Sequence, residues 1–197
     1  MAGPALRTDR LVLRRWEQAD RTPFAELNAD PAVMADLPRL LSRAESDDMV
    51  DRIEATFEAR GFGLFAVEVA STGAFAGFTG LWPATFEAHF TPAVEVGWRL
   101  ARWSWGNGYA TEAARAALDD GFSRLGLDEV VSFTAAVNRR SQRVMEKLGM
   151  RRDPADDFDH PSLPPGHRLE RHVLYRQRAA DLTDDGPGRS RATERPV

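Results

Sequence analysis

Two glycines set two apart, Gly106 and Gly108, carry the clearest chemistry in the chain, inside Trp105-Gly106-Asn107-Gly108-Tyr109-Ala110-Thr111. Neither has a Cβ, and both tolerate positive φ, so a ligand can lie against the backbone there. Ala110, Ala113, Ala114, Ala117, Leu118, Gly121, Phe122 and Leu125 then recur at helical spacing, so the loop opens onto a helix N-terminus. The first turn of a helix has N–H groups without intrahelical acceptors, and the macrodipole adds to their pull on an anion. The chemistry this predicts is phosphate or pyrophosphate binding by main-chain amides. Judged on the glycines alone, a plain strand-turn-helix with a flexible loop fits as well. Two familiar phosphate loops are set aside. No lysine stands near the helix start, as a P-loop needs, and Thr111 occupies the place of the third glycine of a dinucleotide fingerprint.

The elements that must position this loop follow from periodicity. Ahead of it, Val94, Val96, Trp98 and Leu100 alternate with Glu95, Gly97 and Arg99, the period of a strand. Residues 1–9 read as a loose entry, and Arg10–Trp16 as the first strand. Ala19–Leu27 reads as a short helix with Pro23 near its first turn. Ser42 or Ser46 caps a longer helix that Gly61 ends near Arg60. Phe62–Ala70 and Ala74–Trp82 form a hairpin across Ser71-Thr72-Gly73. Glu129–Val137 is a strand, Ser141–Leu148 a helix ended by Gly149, and Arg168–Arg176 the last strand. Between these, Arg151–His167 reads as a long loop without secondary structure. Residues 1–182 read as one domain, and 183–197, rich in Gly, Pro, Ser and charge, as a disordered tail.

Glu95–Leu125 resembles motif A of the GNAT acyltransferases, in the version of the RimJ/RimL-like protein N-terminal acetyltransferases. That motif is Gln/Arg-x-x-Gly-x-Gly/Ala between the fourth strand and the third helix. Trp105 stands where Gln or Arg is usual, Gly108 matches the first glycine and Ala110 the second small residue. A second likeness is Asn138–Met150, NRRSQRVMEKLGM, which is similar to the family's passage from the fifth strand into the fourth helix. Asn138 holds the position that commonly bonds the pantetheine arm. Met145 stands where the family has a tyrosine that protonates the leaving thiolate, and a thioether cannot donate a proton. Ser141 is the substitute acid; the alternatives are that it only caps the helix and that water supplies the proton. A third likeness covers Phe158–Arg176, similar to the terminal loop and strand of actinobacterial-type RimJ/RimL-like chains.

The resemblance implies an α/β fold, a mixed sheet of six to seven strands with helices on both faces, splayed between the fourth and fifth strands. It implies acetyl-CoA as the acyl donor, its pyrophosphate held by the amides of Trp105, Gly106, Asn107, Gly108, Tyr109, Ala110 and Thr111. The N–H of Val96 or Trp98 would polarise the thioester, and Trp98 and Leu100 would flank pantetheine. Glu95 would relay the proton of the amine, or else be a solvated strand glutamate. Trp82, Phe86 and His160, with Trp16 and Phe90, are candidates for the acceptor wall, and packing residues otherwise. Asp156, Asp157 and Asp159 would attract a cationic acceptor or form a solvated acidic loop. The implied acceptor is a protein or peptide N-terminal α-amine of the ribosomal-protein type. A small amine (an antibiotic, polyamine or amino-acid derivative) and a non-catalytic acyl-CoA-binding module are the alternatives. Dimers are common in this branch, so monomer and homodimer both stay open.

Composition bounds the rest. The 197 residues carry 43% apolar and 28% charged side chains, ordinary for a globular chain. A net charge of −4 gives no reason to expect nucleic acid as a partner. The absence of cysteine removes disulfides, thiolate metal sites and acyl-cysteine chemistry. His160, His167 and His172 fit no zinc spacing, so no metal is expected. No long apolar run marks a signal peptide or membrane span, and a cytoplasmic location is expected.

Overall fold

The computed structural model describes residues 5–183. Nine strands form one sheet: β1 (Leu6–Arg7), β2 (Leu11–Arg14), β3 (Leu64–Val69), β4 (Ala74–Ala84), β5 (Ala93–Leu100), β6 (Glu129–Ala135), β7 (Arg151–Arg152), β8 (Phe158–Asp159) and β9 (Arg171–Arg178). Helices α1 (Arg21–Ala29) and α2 (Arg43–Arg60) lie between β2 and β3. Helix α3 (Tyr109–Ser123) follows β5, α4 (Arg139–Lys147) follows β6, and α5 (Ala179–Thr183) follows β9. The strand order is β1-β2-β3-β4-β5-β6-β9-β7, with β8 also on β9. Every pairing is antiparallel except β5 with β6.

This is the mixed α/β sheet the sequence implied, with two corrections. The strand count exceeds six to seven because β1, β7 and β8 are two residues each, too short to leave a periodic signal. For the same reason residues 1–9 and 151–167 are not plain loop: Leu6–Arg7 pairs with β2, and both short strands after Gly149 pair with β9. Thr183 ends α5, and the remainder of the expected tail, 184–197, lies outside the described residues.

Local chemistry fixes the helices that matter. Ser42 caps α2: its Oγ accepts the Glu45 N–H at 3.3 Å, while the Glu45 carboxylate accepts the Ser42 N–H at 2.8 Å, a reciprocal capping box. Ser46, the other candidate, is buried inside that helix against Asn28. Helices flank both sheet faces. Phe78 of β4 meets Phe24 of α1, ring centroids 5.9 Å apart. Leu81, three residues on and therefore on the other face, packs so closely on α3 that a Cβ at Gly121 would sit 2.9 Å from it.

The single parallel contact is the fold's functional joint. Only Glu95↔Val131 is in register between β5 and β6. One residue on, the Ser132 hydroxyl donates to the Val96 carbonyl at 2.9 Å. Beyond that the two strands diverge, and the sheet opens between them.

Candidate functional site

A cleft of about 870 Å³ occupies the opening, running from the loop ahead of α3 to the α1–α2 connection. At its α3 end, Gly106 and Gly108 both adopt φ +80°, the left-handed conformation that glycine allows. Among the described residues, the N–H groups of Gly106, Asn107, Gly108, Tyr109, Ala110 and Thr111 find no acceptor in the protein. Trp105 leaves the expected set, because its N–H is already taken by the Arg102 carbonyl at 3.2 Å. Its indole instead donates to the Leu100 carbonyl at 2.9 Å, under the Arg140 guanidinium 4.6 Å from the ring centroid. Trp105 thus pins the loop to the end of β5. The Asn107 amide folds back on the Ser104 carbonyl at 3.1 Å, so only its backbone is available.

The loop is buttressed from a distance. Glu112, in the first turn of α3, accepts from the Thr8 hydroxyl at 2.6 Å and from Arg10 Nε at 2.7 Å. Arg10 also donates to the Asn107 carbonyl at 2.9 Å. Three cations of α4, Arg140, Arg143 and Lys147, line the same end of the cleft with no carboxylate partner among the described residues. Six open amides and three uncompensated cations suit a pyrophosphate with a further phosphate. Sequence reading missed these cations, since a polar helix face means nothing until it is placed beside the loop.

At the joint, Glu95 stands beside its cross-strand neighbour Trp82, and both line the cleft. Glu95 is half-buried, no cation faces it, and desolvation alone pushes its carboxyl up to about 8. The side chain of Val96 is fully buried in the core and does not reach the cleft, so no direct ligand contact by that side chain is available. Its carbonyl faces β6, as the bond from Ser132 shows, so the amide of Trp98, two residues on, faces the same way beyond the last β5–β6 rung. Trp98 and Leu100 both line the cleft.

On the opposite wall, the helix N-cap is Asn138 and not Ser141. The Asn138 Oδ1 accepts the Ser141 N–H at 3.1 Å, while its Nδ2 donates to Thr134 Oγ1 at 3.0 Å and to Ser141 Oγ at 3.1 Å. Ser141 Oγ therefore receives a hydrogen bond, and its own proton has no acceptor among the described residues. Asn138 and Ser141 both line the cleft. Met145 is 1% exposed and belongs to the core beneath them.

Toward α1 and α2 the lining is Val33, Leu37, Met49, Phe78 and Trp82, with Arg99 among them. The structure does not bring Phe86 or His160 to this wall. They pack with Phe90, Phe133, Phe158 and His172 in an aromatic cluster, Phe86 and His160 having ring centroids 4.7 Å apart. Phe133 alone of that cluster lines the cleft. Trp16 is core, its indole donating to the Leu64 carbonyl at 2.7 Å. Each acidic residue of the late loop is matched to an arginine: Asp156 to Arg176 at 2.8 Å, Asp157 to Arg152, and Asp159 to Arg171 at 3.2 Å. They are therefore not a free field for a cation. Among the described residues no three His, Cys, Asp or Glu gather as a metal site, and no helix is long and apolar enough to cross a membrane.

Comparison with known proteins places this geometry. Residues 10–151 match the acetyltransferase (GNAT) domain. An uncharacterized protein of Bacillus subtilis, YkkB, is 37% identical over 144 residues, 73% of this chain and 83% of its own length. The FsC-acetyl coenzyme A-N(2)-transacetylase of Aspergillus fumigatus is 29% identical over 174 residues, covering 84% and 72%. The crystal structure of an acetyltransferase from Agrobacterium tumefaciens superposes with a TM-score of 0.72 at 28% identity, over 90% of this chain and 95% of that one. With an open-amide loop, a splayed joint and a carboxyl at its floor, the chain belongs to the GNAT acetyltransferases and is an acetyl-CoA-dependent N-acyltransferase acting on an amine.

Proposed function

We propose that the acceptor is an α-amine, at the N-terminus of a protein or peptide, as in the RimJ/RimL-like branch, and that Glu95 takes its proton. The observation that carries this is the Glu95 carboxyl, which lines the cleft with no cationic partner of its own and is raised to about 8 by desolvation. An α-amino group has a pKa of roughly 7.7–8.0, against about 10.4 for a lysine amine. Proton transfer from an α-ammonium to Glu95, directly or through water, is then close to thermoneutral, whereas a lysine-type amine opposes it by about two units.

Bound acetyl-CoA supplies an activated acetyl thioester; the protein's part is to hold and orient it. The amides from Gly106 to Thr111, with Arg140, Arg143 and Lys147, grip the phosphates. Asn138 retains a free lone pair on Oδ1 for the pantetheine arm. The Trp98 N–H meets the thioester carbonyl, where a preorganised donor stabilises developing negative charge. Ser141, whose hydroxyl proton is uncommitted, donates to the departing sulfur.

The test is thiol release from acetyl-CoA across matched N-terminal peptides, lysine-containing peptides with blocked N-termini, and polyamines. Preferred turnover of free N-termini supports the reading. Preferred turnover of a polyamine or a blocked lysine peptide assigns the small-amine or side-chain alternative. Tight CoA binding without thiol release from any amine leaves a binding module.

A further inference from the structure

We infer that Arg99 is a carboxylate subsite, and that the acceptor is an amine which also carries a carboxylate. This rests on the N-acyltransferase reading and narrows its substrate.

Arg99 lies on β5 at the same face as Glu95 and Gly97, four residues from Glu95, and it lines the cleft. It is a guanidinium in a largely protein-enclosed position, and among the described residues no carboxylate pairs with it. One nitrogen, Nη1, donates to the Asn28 Oδ1 of α1 at 2.5 Å, and the group lies 5.3 Å from the centre of the Phe78 ring. Its Nε and Nη2 donate to nothing in the described protein, and neither is sealed away from the cleft. Both fixed contacts are neutral. Every other arginine of comparable burial is paired: Arg14 with Asp20 at 2.7 Å, Arg15 with Glu54 at 2.5 Å, Arg176 with Glu129 at 2.6 Å. A cation removed from water without an anion is costly, and it persists where a ligand completes the pair. Burial lowers the pKa of Arg99 to about 10, the same desolvation seen from the proton's side.

The alternative anion, the phosphates of the cofactor, lies elsewhere. Arg99 is drawn toward α1 by Asn28 and Phe78, whereas the amide loop starts α3, packed on the opposite sheet face. Between Glu95 and Arg99 the floor is Gly97, where an added Cβ would meet only Glu95 Oε1, at 3.7 Å. An acceptor lying over Gly97 presents its amine to Glu95 and its carboxylate to the free fork of Arg99, which suits bidentate carboxylate binding.

The experiment measures thiol release with paired acceptors, each carboxylate against its amide. One arm uses free amino acids and their amides; the other uses short C-terminally amidated peptides with Asp or Glu against Asn or Gln at the second position. The carboxylate member of at least one arm is expected to show kcat/KM about tenfold to a hundredfold higher, and the arm that responds identifies the source of the carboxylate. Arg99→Gln should collapse that ratio toward one, mainly through KM, and Arg99→Lys should restore part of it. Equal or better turnover of the amide partners in both arms overturns the carboxylate subsite and leaves the transferase reading standing. Thiol release from no acceptor overturns both. The wild-type pairs decide the matter even where Arg99→Gln fails to fold.

Discussion

The two ends of the cleft are built by different means. The phosphate end is made of main chain: six amides presented by two left-handed glycines and the first turn of α3. The acceptor end is made of side chains drawn from the α1–α2 connection, α2, β4 and β5, with two ionisable groups, Glu95 and Arg99, left without counter-charges. A backbone site depends on one contiguous stretch and tolerates changes elsewhere. A side-chain site depends on the packing of distant elements, and it is there that one enzyme of a fold can differ from another.

Substitutions at the two ends should therefore fail differently. The largest effect is expected from Gly108→Val. A β-branched residue is strained at φ +80°, and its Cβ would lie 3.5 Å from Arg10 in the cradle. Calorimetry should show CoA affinity falling at least about a hundredfold, roughly 3 kcal/mol. Unchanged affinity would break the comparison at its first term.

Glu95→Gln should leave CoA affinity alone and reduce kcat/KM by tenfold or more. A loss below about threefold removes Glu95 from the proton path. The carboxyl must be ionised to accept a proton, so wild-type activity should be low near pH 6 and rise through about 8. With an acceptor whose amine is already neutral at pH 6, that limb belongs to Glu95 alone and should vanish in the Gln variant.

The same substitution sharpens the energetic contrast. A carboxyl whose folded pKa is raised above its unfolded value favours the folded state least when ionised. Stability is thus undiminished below about 4.5 and is lost progressively as pH climbs toward about 8. Each unit costs about 1.4 kcal/mol. Glu95→Gln should raise Tm by about 5 °C or more at pH 8 and leave it unchanged at pH 4, a stability gained at the expense of activity. Equal Tm at both values would mean that the desolvation is relieved in solution.

The smallest effect is expected from Ser141→Ala, a three- to tenfold fall in kcat with CoA affinity and Tm preserved. Because Asn138 caps α4, removal of the Ser141 hydroxyl does not uncap it. Loss of Tm without loss of kcat would return Ser141 to a structural role.

This division also explains what could be read from the chain. The glycine loop, the alternation around Glu95 and a serine cap on α2 are local signals, and the structure carries them, choosing Ser42 over Ser46 for the cap. The cap of α4 was displaced by one turn, since Asn138 and Ser141 are both good capping types. Phe86 and His160 were drawn into an aromatic cluster by Phe133, Phe158 and His172, residues far from Phe86 in sequence. Asp156, Asp157 and Asp159 look like an acidic patch until β7 and β9 bring arginines to each. Arg99 is visible as a strand residue, but its lack of an anion is a property of everything around it.

Among the described residues, β5 and β6 share one ladder rung, Glu95↔Val131, and one hydroxyl bond from Ser132. Beneath them the two parts of the sheet share one core, in which Val96 clusters with Val130 and Val173, and past them a seam stands open for a ligand to fill. A ligand that contacts β5 on one side and α4 on the other binds the folded chain alone, since unfolding separates the two walls. At a hundred times its dissociation constant such a ligand adds about 2.7 kcal/mol to the folded state. Thermal shift on adding CoA therefore reports occupancy of the seam, without any turnover.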